Sequence, residues 1–160
     1  FNVNVIKALG VDQLLPKRVK KLSGGERQAV SIAICLGRDA DLYLLDEPSA
    51  HLDANARMEA AKAIRRTMES NEKSALVIDH DVYFIDILSD SLLVFDGVGG
   101  QHGKATGPYP LREGMNQFLK DVNITFRRDH DSKRPRINKP ESRKDREQQS
   151  VGDYYSFDSR

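Results

Sequence analysis

Two short apolar runs, Leu42-Tyr43-Leu44-Leu45 and Ala75-Leu76-Val77-Ile78, flank a segment that reads as one amphipathic helix. This succession limits the fold more than any other feature of the chain. Apolar runs of this length without alternation are strands covered on both faces. Two such strands joined through a helix pair in parallel by a right-handed crossover. The helix is expected from about Ala54 to Ser70, with Met58, Ala61, Ile64 and Met68 on one face and Asp53 as its cap. Asp81 can cap a second, shorter helix to Leu88, and Leu92 to Phe95 supplies a third strand. The pattern predicts an α/β fold with a mainly parallel sheet flanked by helices.

The remaining segments fit around this unit. Asn4 to Leu15 carries a helical pattern, followed by Pro16 and the basic stretch Lys17 to Lys21. Leu22 to Leu36 is too long for one strand and reads as a buried helix closed by Gly37. Gly97 to Gly107 reads as a glycine-rich surface loop. Pro110 suits the first position of a helix reaching about Val122, and Ile124 to Arg127 a short strand. Beyond Asp129 the chain turns polar and basic, with a helical period only from about Ser142, and ends in an aromatic cluster, Tyr154, Tyr155 and Phe157. No internal repeat is visible. The chain starts at Phe1, inside a helical pattern, and is expected to be a piece of something longer.

Composition narrows the classes. No apolar run approaches the ~20 residues needed to span a bilayer, and no secretory leader is seen, so a cytoplasmic protein without a membrane partner is expected. Cys35 is the only cysteine. A disulfide framework, a cysteine-built zinc site and an iron–sulfur cluster are therefore excluded within this chain. The net charge of +1 conceals an asymmetry: Phe126 to Arg146 holds nine Lys/Arg against four Asp/Glu. A basic segment on an acidic body suits an anionic partner such as nucleic acid, or a solvated tail.

Four short motifs carry chemistry. In Leu22-Ser23-Gly24-Gly25-Glu26-Arg27-Gln28, two glycines at a helix start let backbone N–H groups approach an anion, and the helix dipole adds partial positive charge. The Ser23 hydroxyl can donate to a phosphate; Ser23 and Glu26 also have the spacing of a capping box. The strand ending in Asp46-Glu47 delivers one carboxylate suited to a Mg²⁺ contact and a second suited to polarising water. Ser49-Ala50-His51-Leu52-Asp53 follows Pro48, and Asp53 doubles as a helix cap. His80 directly follows the second strand, at the edge where open α/β sheets bind ligands.

Taken together and in this order, these residues resemble the ATP-binding-cassette family. Leu22 to Gln28 is similar to its signature motif, Leu42 to Asp46 to its Walker B strand, Glu47 to its catalytic glutamate, Ser49 to Asp53 to its D-loop and His80 to its switch histidine. The resemblance implies ATP and Mg²⁺ as ligands, with Glu47 and His80 catalytic and Asp46 meeting Mg²⁺ through water. It also implies that Ser23, Gly24, Gly25, Gln28 and Asp53 contact the nucleotide. Two cassettes of this family pair head to tail around two ATPs. The signature motif then serves the partner's nucleotide, and Asp46, Glu47 and His80 serve their own. No Gly-x-x-x-x-Gly-Lys-[Ser/Thr] loop is present: Gly103-Lys104 is followed by Ala105, and Val98 stands where glycine is required. Ala29 departs from the family's common basic residue, and Asp79 from its more usual glutamate before the histidine.

The region after the cassette resembles a subfamily. Gly114-Met115-Asn116-Gln117-Phe118-Leu119, Ile124-Thr125-Phe126-Arg127-Arg128-Asp129 and Arg134-Pro135-Arg136-Ile137-Asn138-Lys139 look like the hinge of the soluble twin-cassette ribosome-recycling factors, the E subfamily, or RNase L inhibitor type. The resemblance implies a partial cassette over residues 1–122 and a basic hinge and tail over 123–160. It also implies a second cassette as partner, and the small ribosomal subunit and its rRNA. Arg127, Arg128, Arg134 and Arg136 would brace the hinge or contact rRNA. The iron–sulfur domain of that subfamily would lie elsewhere in a full-length protein, and this piece alone would not turn over ATP. Other readings stay open: the ATPase subunit of a membrane transporter, half of a chromosome-maintenance or DNA-repair cassette ATPase, or a non-catalytic binding module.

Overall fold

The computed structural model describes residues 2–129 and 135–156, so Arg134 and Phe157 lie outside the described residues. The chain forms two compact units, Phe1–Leu88 and Ser89–Arg160.

The first unit is built on the predicted crossover. Strand β1 (Leu42–Asp46) and strand β2 (Ser74–Ile78) pair in parallel, with Leu44 opposite Leu76 and Asp46 opposite Ile78. Between them runs helix α2 (Ala54–Asn71), whose start is capped by Asp53 Oδ1 accepting from the Ala56 N–H at 2.8 Å. Helix α1 (Gly24–Leu36) precedes β1, and helix α3 (Val82–Leu88) follows β2. The core gathers Ile32, Ala33 and Leu36 of α1, Tyr43 and Leu45 of β1, Ala60, Ala61 and Ile64 of α2, and Phe84 of α3. Met58 does not join that face; it is exposed, whereas Met68 packs partly against the core. The Asn4–Leu15 helix is broken: a π-helical turn, Asn2–Lys7, and a short helical turn, Val11–Leu14, meet at Gly10, whose φ of 65° no ordinary helix continues. Gly37 does end α1, but with a right-handed backbone rather than the left-handed one common there.

The β1–β2 sheet is covered on one face only. Tyr43 and Leu45 are buried, while Leu42, Leu44, Leu76 and Ile78 are exposed, Leu44 at 67% and Ile78 at 61%. Parallel strands normally carry helices or further chain on both faces, which fits the unbroken apolar runs 42–45 and 75–78, half of whose residues face outward here.

The second unit corrects two expectations. Strand β3 (Ser91–Val98) contains the predicted third strand, but it pairs antiparallel with strand β4 (His102–Pro110). The glycine-rich segment expected as a loop is thus largely that hairpin's second strand, and Lys104 is exposed on it. Gly97 at φ 148° and Gly107 at φ 110° sit against backbone atoms of the paired strand, so the glycines serve close strand approach rather than a loop. Helix α4 (Leu111–Asp121) follows, with Pro110 as the residue before its first turn. Gly114 lets it close on β3: a Cβ there would lie 2.8 Å from Leu92 Cβ. Strand β5 (Phe126–Arg128) pairs with β6 (Pro135–Ile137) and in parallel with β7 (Tyr155–Ser156); helix α5 (Arg143–Val151) lies between β6 and β7 in sequence. Tyr155 stacks on Phe126 with ring centroids 5.2 Å apart, so that much of the aromatic cluster is core.

A buried polar network holds β5, β6 and α5 together. The Thr125 hydroxyl donates to Asp145 Oδ1 and accepts from the Asn138 amide at 3.0 Å, and Asn138 also donates to Gln148. Gln148 in turn donates to the carbonyls of Phe126 and Asp153, each at 2.9 Å. The Thr125 hydroxyl, with the Glu141 N–H and the Gln149 amide, holds the Asp145 carboxyl below the usual carboxylate range, against the opposing effect of burial. A depressed carboxyl stabilises the fold above the unfolded-state value and loses that contribution as pH falls through the folded one. Asp145→Ala is expected to cost about 2 kcal/mol in urea unfolding at neutral pH. The difference from the parent should shrink as pH drops below about 4.

Candidate functional site

Parallel pairing carries the carboxyl ends of β1 and β2 to one edge. Asp46 ends β1 and is exposed. The next residue, Glu47, turns the chain sharply, with φ 45°. That left-handed backbone is costly for a side-chain-bearing residue and persists only where neighbours fix it. Here the Glu47 N–H bonds the Ile78 carbonyl at 2.7 Å, and the Glu47 carbonyl accepts from the Ala50 N–H at 3.0 Å. His80 lies just past β2, and its Nδ1 is 3.7 Å from Glu47 Oε1, an ion pair whenever the imidazole is protonated. Both side chains are exposed, so an incoming ligand can reach them.

The glycine-rich helix start comes to the same turn. Ser23 forms the full capping box of α1: its Oγ accepts from the Glu26 N–H at 3.2 Å, and Glu26 accepts from the Ser23 N–H at 2.8 Å. The hydroxyl hydrogen is not used in this cap, so capping and donation to an anion are compatible. Lys17 bonds Glu26 at 2.6 Å and, with the Ser23 N–H, draws the Glu26 carboxyl below its ordinary value. Gln28 points its amide at the carbonyls of Glu47 and Pro48, both at 3.2 Å, tying α1 to the end of β1. Gly25 packs under the His51 carbonyl, where a Cβ would come within 2.9 Å; at Gly24 the nearest atom would be His51 Cβ at 3.5 Å. His51 itself has φ 62°.

The structure therefore brings Ser23, Gly24, Gly25, Gln28, Asp46, Glu47 and His80 into one unit, while Asp53 caps α2. Sequence reasoning missed Asp79, whose carboxylate bonds Ser49, and Arg57, which meets Asp81 at 2.6 Å. Their signal was position only: an acid directly after a strand, and a basic residue one turn into a helix. Of the basic residues further on, Arg127 Nε donates to Asn138 at 2.9 Å, Arg128 is half-buried, and Arg136 lies 3.3 Å from Asp129. Among the described residues no group of three or more His, Cys, Asp or Glu is arranged to hold a metal. Asp46 fits a Mg²⁺ ion as one oxygen donor beside a phosphate ligand, not as part of a closed protein cage.

A protein-family model for ABC transporters matches residues 3–50. The chain is 45% identical over 159 residues to the translation initiation factor RLI1 of Saccharomyces cerevisiae, covering 99% of this chain and 26% of that protein. It is 48% identical over 158 residues to ABC transporter E family member 1 of Arabidopsis thaliana, again covering 99% of this chain and 26% of the relative. The solved complex of an archaeal ribosomal stalk protein with the archaeal ribosome recycling factor superposes with a TM-score of 0.90 at 54% identity, over 97% of this chain and 30% of that one. Over nearly its whole length the chain is similar to E-family ATP-binding-cassette proteins. It spans about a quarter of the length of the curated relatives it matches. The α/β fold expected from the strand order stands, as does the cassette fold that the resemblance implied, with the antiparallel β3–β4 hairpin added to it. Among the described residues no helix is long and apolar enough to cross a membrane.

The two signature glycines should differ. Gly25→Ala forces a Cβ against the His51 backbone and is expected to destabilise by about 1–3 kcal/mol. Gly24→Ala meets only ordinary contacts and should leave the thermal midpoint close to that of the parent, as calorimetry would show.

Proposed function

We propose that this chain supplies one part of the second cassette of a twin-cassette ATPase that couples ATP binding and hydrolysis to the splitting and recycling of ribosomal subunits. The observation that carries the reading is the meeting of Glu47 and His80, 3.7 Å apart, at the ends of two parallel strands, with the glycine-rich start of α1 bonded to the same turn through Gln28. Glu47 is the group that polarises the attacking water, and His80 orients the γ-phosphate beside it. Asp46 contacts Mg²⁺ through water, and the ion when bound neutralises phosphate charge. Ser23, Gly24 and Gly25 hold the γ-phosphate of the ATP carried by a second cassette; Gln28 and Asp53 support that contact from α1 and from the D-loop.

The bare apolar face formed by Leu42, Leu44, Leu76 and Ile78 supports assigning the phosphate-binding Gly-x-x-x-x-Gly-Lys-[Ser/Thr] loop to a further segment that packs there. Residues 1–122 then act as the partial cassette and 123–160 as a basic hinge. Arg127 bonds Asn138 within that hinge, and the basic residues Arg127, Arg128, Arg134 and Arg136 hold the hinge or contact rRNA phosphates. The ribosomal partner follows from the subfamily, whose solved member is described as a ribosome recycling factor. The working compartment is the cytoplasm.

In the full-length protein, Glu47→Gln should lower ATP turnover by about a hundredfold or more while ATP still binds. The 160-residue chain by itself should show no turnover above background. Normal turnover by the isolated chain would falsify the half-site reading.

A further inference from the structure

Asp79 directly precedes His80, and its carboxylate accepts four hydrogen bonds. Oδ2 takes the Ser49 N–H at 3.0 Å, and Oδ1 takes the Ser49 hydroxyl at 2.8 Å. Oδ1 also takes the N–H groups of His80 at 2.8 Å and Asp81 at 2.9 Å. Ser49 is buried and lies within the turn that runs from Glu47 to Leu52. That turn is gripped on its other side by Gln28, through the carbonyls of Glu47 and Pro48. The Asp79 bonds therefore close the loop between the backbone carrying Glu47 and the backbone carrying His80. Glu47, at φ 45°, needs such external bonds to keep its conformation.

We propose that Asp79 is a positioning residue: its carboxylate locks the Ser49 turn to the His80 backbone and so sets the separation of Glu47 and His80. This rests on the reading of those two residues as catalytic. The lock acts on turnover and not on nucleotide affinity, because both carboxylate oxygens are engaged by the protein's own Ser49, His80 and Asp81 groups. An amide cannot replace it. In Asp79→Asn one of the two acceptor oxygens becomes an NH₂ that faces a donor from Ser49 or from the His80 and Asp81 backbone. Asp79→Glu keeps two acceptor oxygens on a longer arm.

The test compares the full-length protein with its Asp79→Asn, Asp79→Glu, Ser49→Ala and Glu47→Gln variants. Asp79→Asn should lower kcat by about 10- to 100-fold, since small misplacements of reacting groups have effects of that size, with the KM for ATP within about twofold. Asp79→Glu should recover most of the rate. Ser49→Ala combined with Asp79→Asn should be no slower than the worse single variant, because both remove the same lock. Amide hydrogen exchange at Ser49, His80 and Asp81 should quicken in Asp79→Asn with the global melting transition unchanged. An unchanged kcat and unchanged exchange in Asp79→Asn overturns the proposal, as does a rise in KM that accounts for the whole effect. Should Glu47→Gln turn over ATP like the parent, the catalytic reading fails instead, and the exchange data alone decide whether the lock exists.

Discussion

The bond from the Glu47 N–H to the Ile78 carbonyl, 2.7 Å long, is the last rung of the β1–β2 ladder and the first element of the site. It extends strand pairing one residue past β1 and forces the chain to turn where both strands end. The Asp46-to-Ile78 register then leaves Asp46, Glu47, Asp79 and His80 at one edge. A slip of one residue would invert the alternation, exchanging the buried Tyr43 and Leu45 for the outward Leu42 and Leu44. Packing of the core and placement of the site are therefore one constraint: the side chains that bury against α1 and α2 also decide where the carboxylates emerge.

Several polar residues serve local structure and the site together. Ser23 caps α1 while its hydroxyl hydrogen remains available, and Asp81 caps α3 through the Phe84 N–H at 2.9 Å while pairing with Arg57 of α2. Caps of this kind contribute about 1 kcal/mol each. Their larger consequence is geometric, since a capped helix start has a fixed direction relative to the strand that delivers it. Gln28 and Asp79 add two side-chain ties to the same turn, from α1 and from β2, so the strained Glu47 and His51 backbones are held from more than one direction.

The second unit is stabilised differently. Its apolar core is small, with Val94, Met115, Leu119, Phe126 and Tyr155 fully or nearly buried. Alongside it, Thr125, Asn138, Asp145 and Gln148 form a buried network in which each member has hydrogen-bond partners. Such a network specifies geometry strongly when it is satisfied and is costly when any member is removed. Separately, Asn116 accepts from the N–H groups of Tyr154 and Tyr155, at the strand β7 that pairs with β5.

Local chemistry made much of this legible in the sequence. Apolar runs 42–45 and 75–78 announced a parallel pair, the residues Ser23, Asp53, Asp81 and Ser142 announced helix starts, and the acids after β1 together with His80 announced a ligand edge. These features depend on neighbours a few residues apart, which a linear reading can see. Pairing of β3 with β4 was not legible, because glycines that allow close strand approach look the same in one dimension as glycines of a loop. The outward position of Met58, the grip of Asp79 on Ser49 and the linkage of Thr125 to Asp145 were equally hidden. Each depends on which residues far apart in the chain come within hydrogen-bond or van der Waals distance. The sequence thus determined the strands, the caps and the set of reactive groups, through propensity and periodicity. Only the tertiary structure decided their partners, because contact between distant residues is a property of the packed chain and not of any segment.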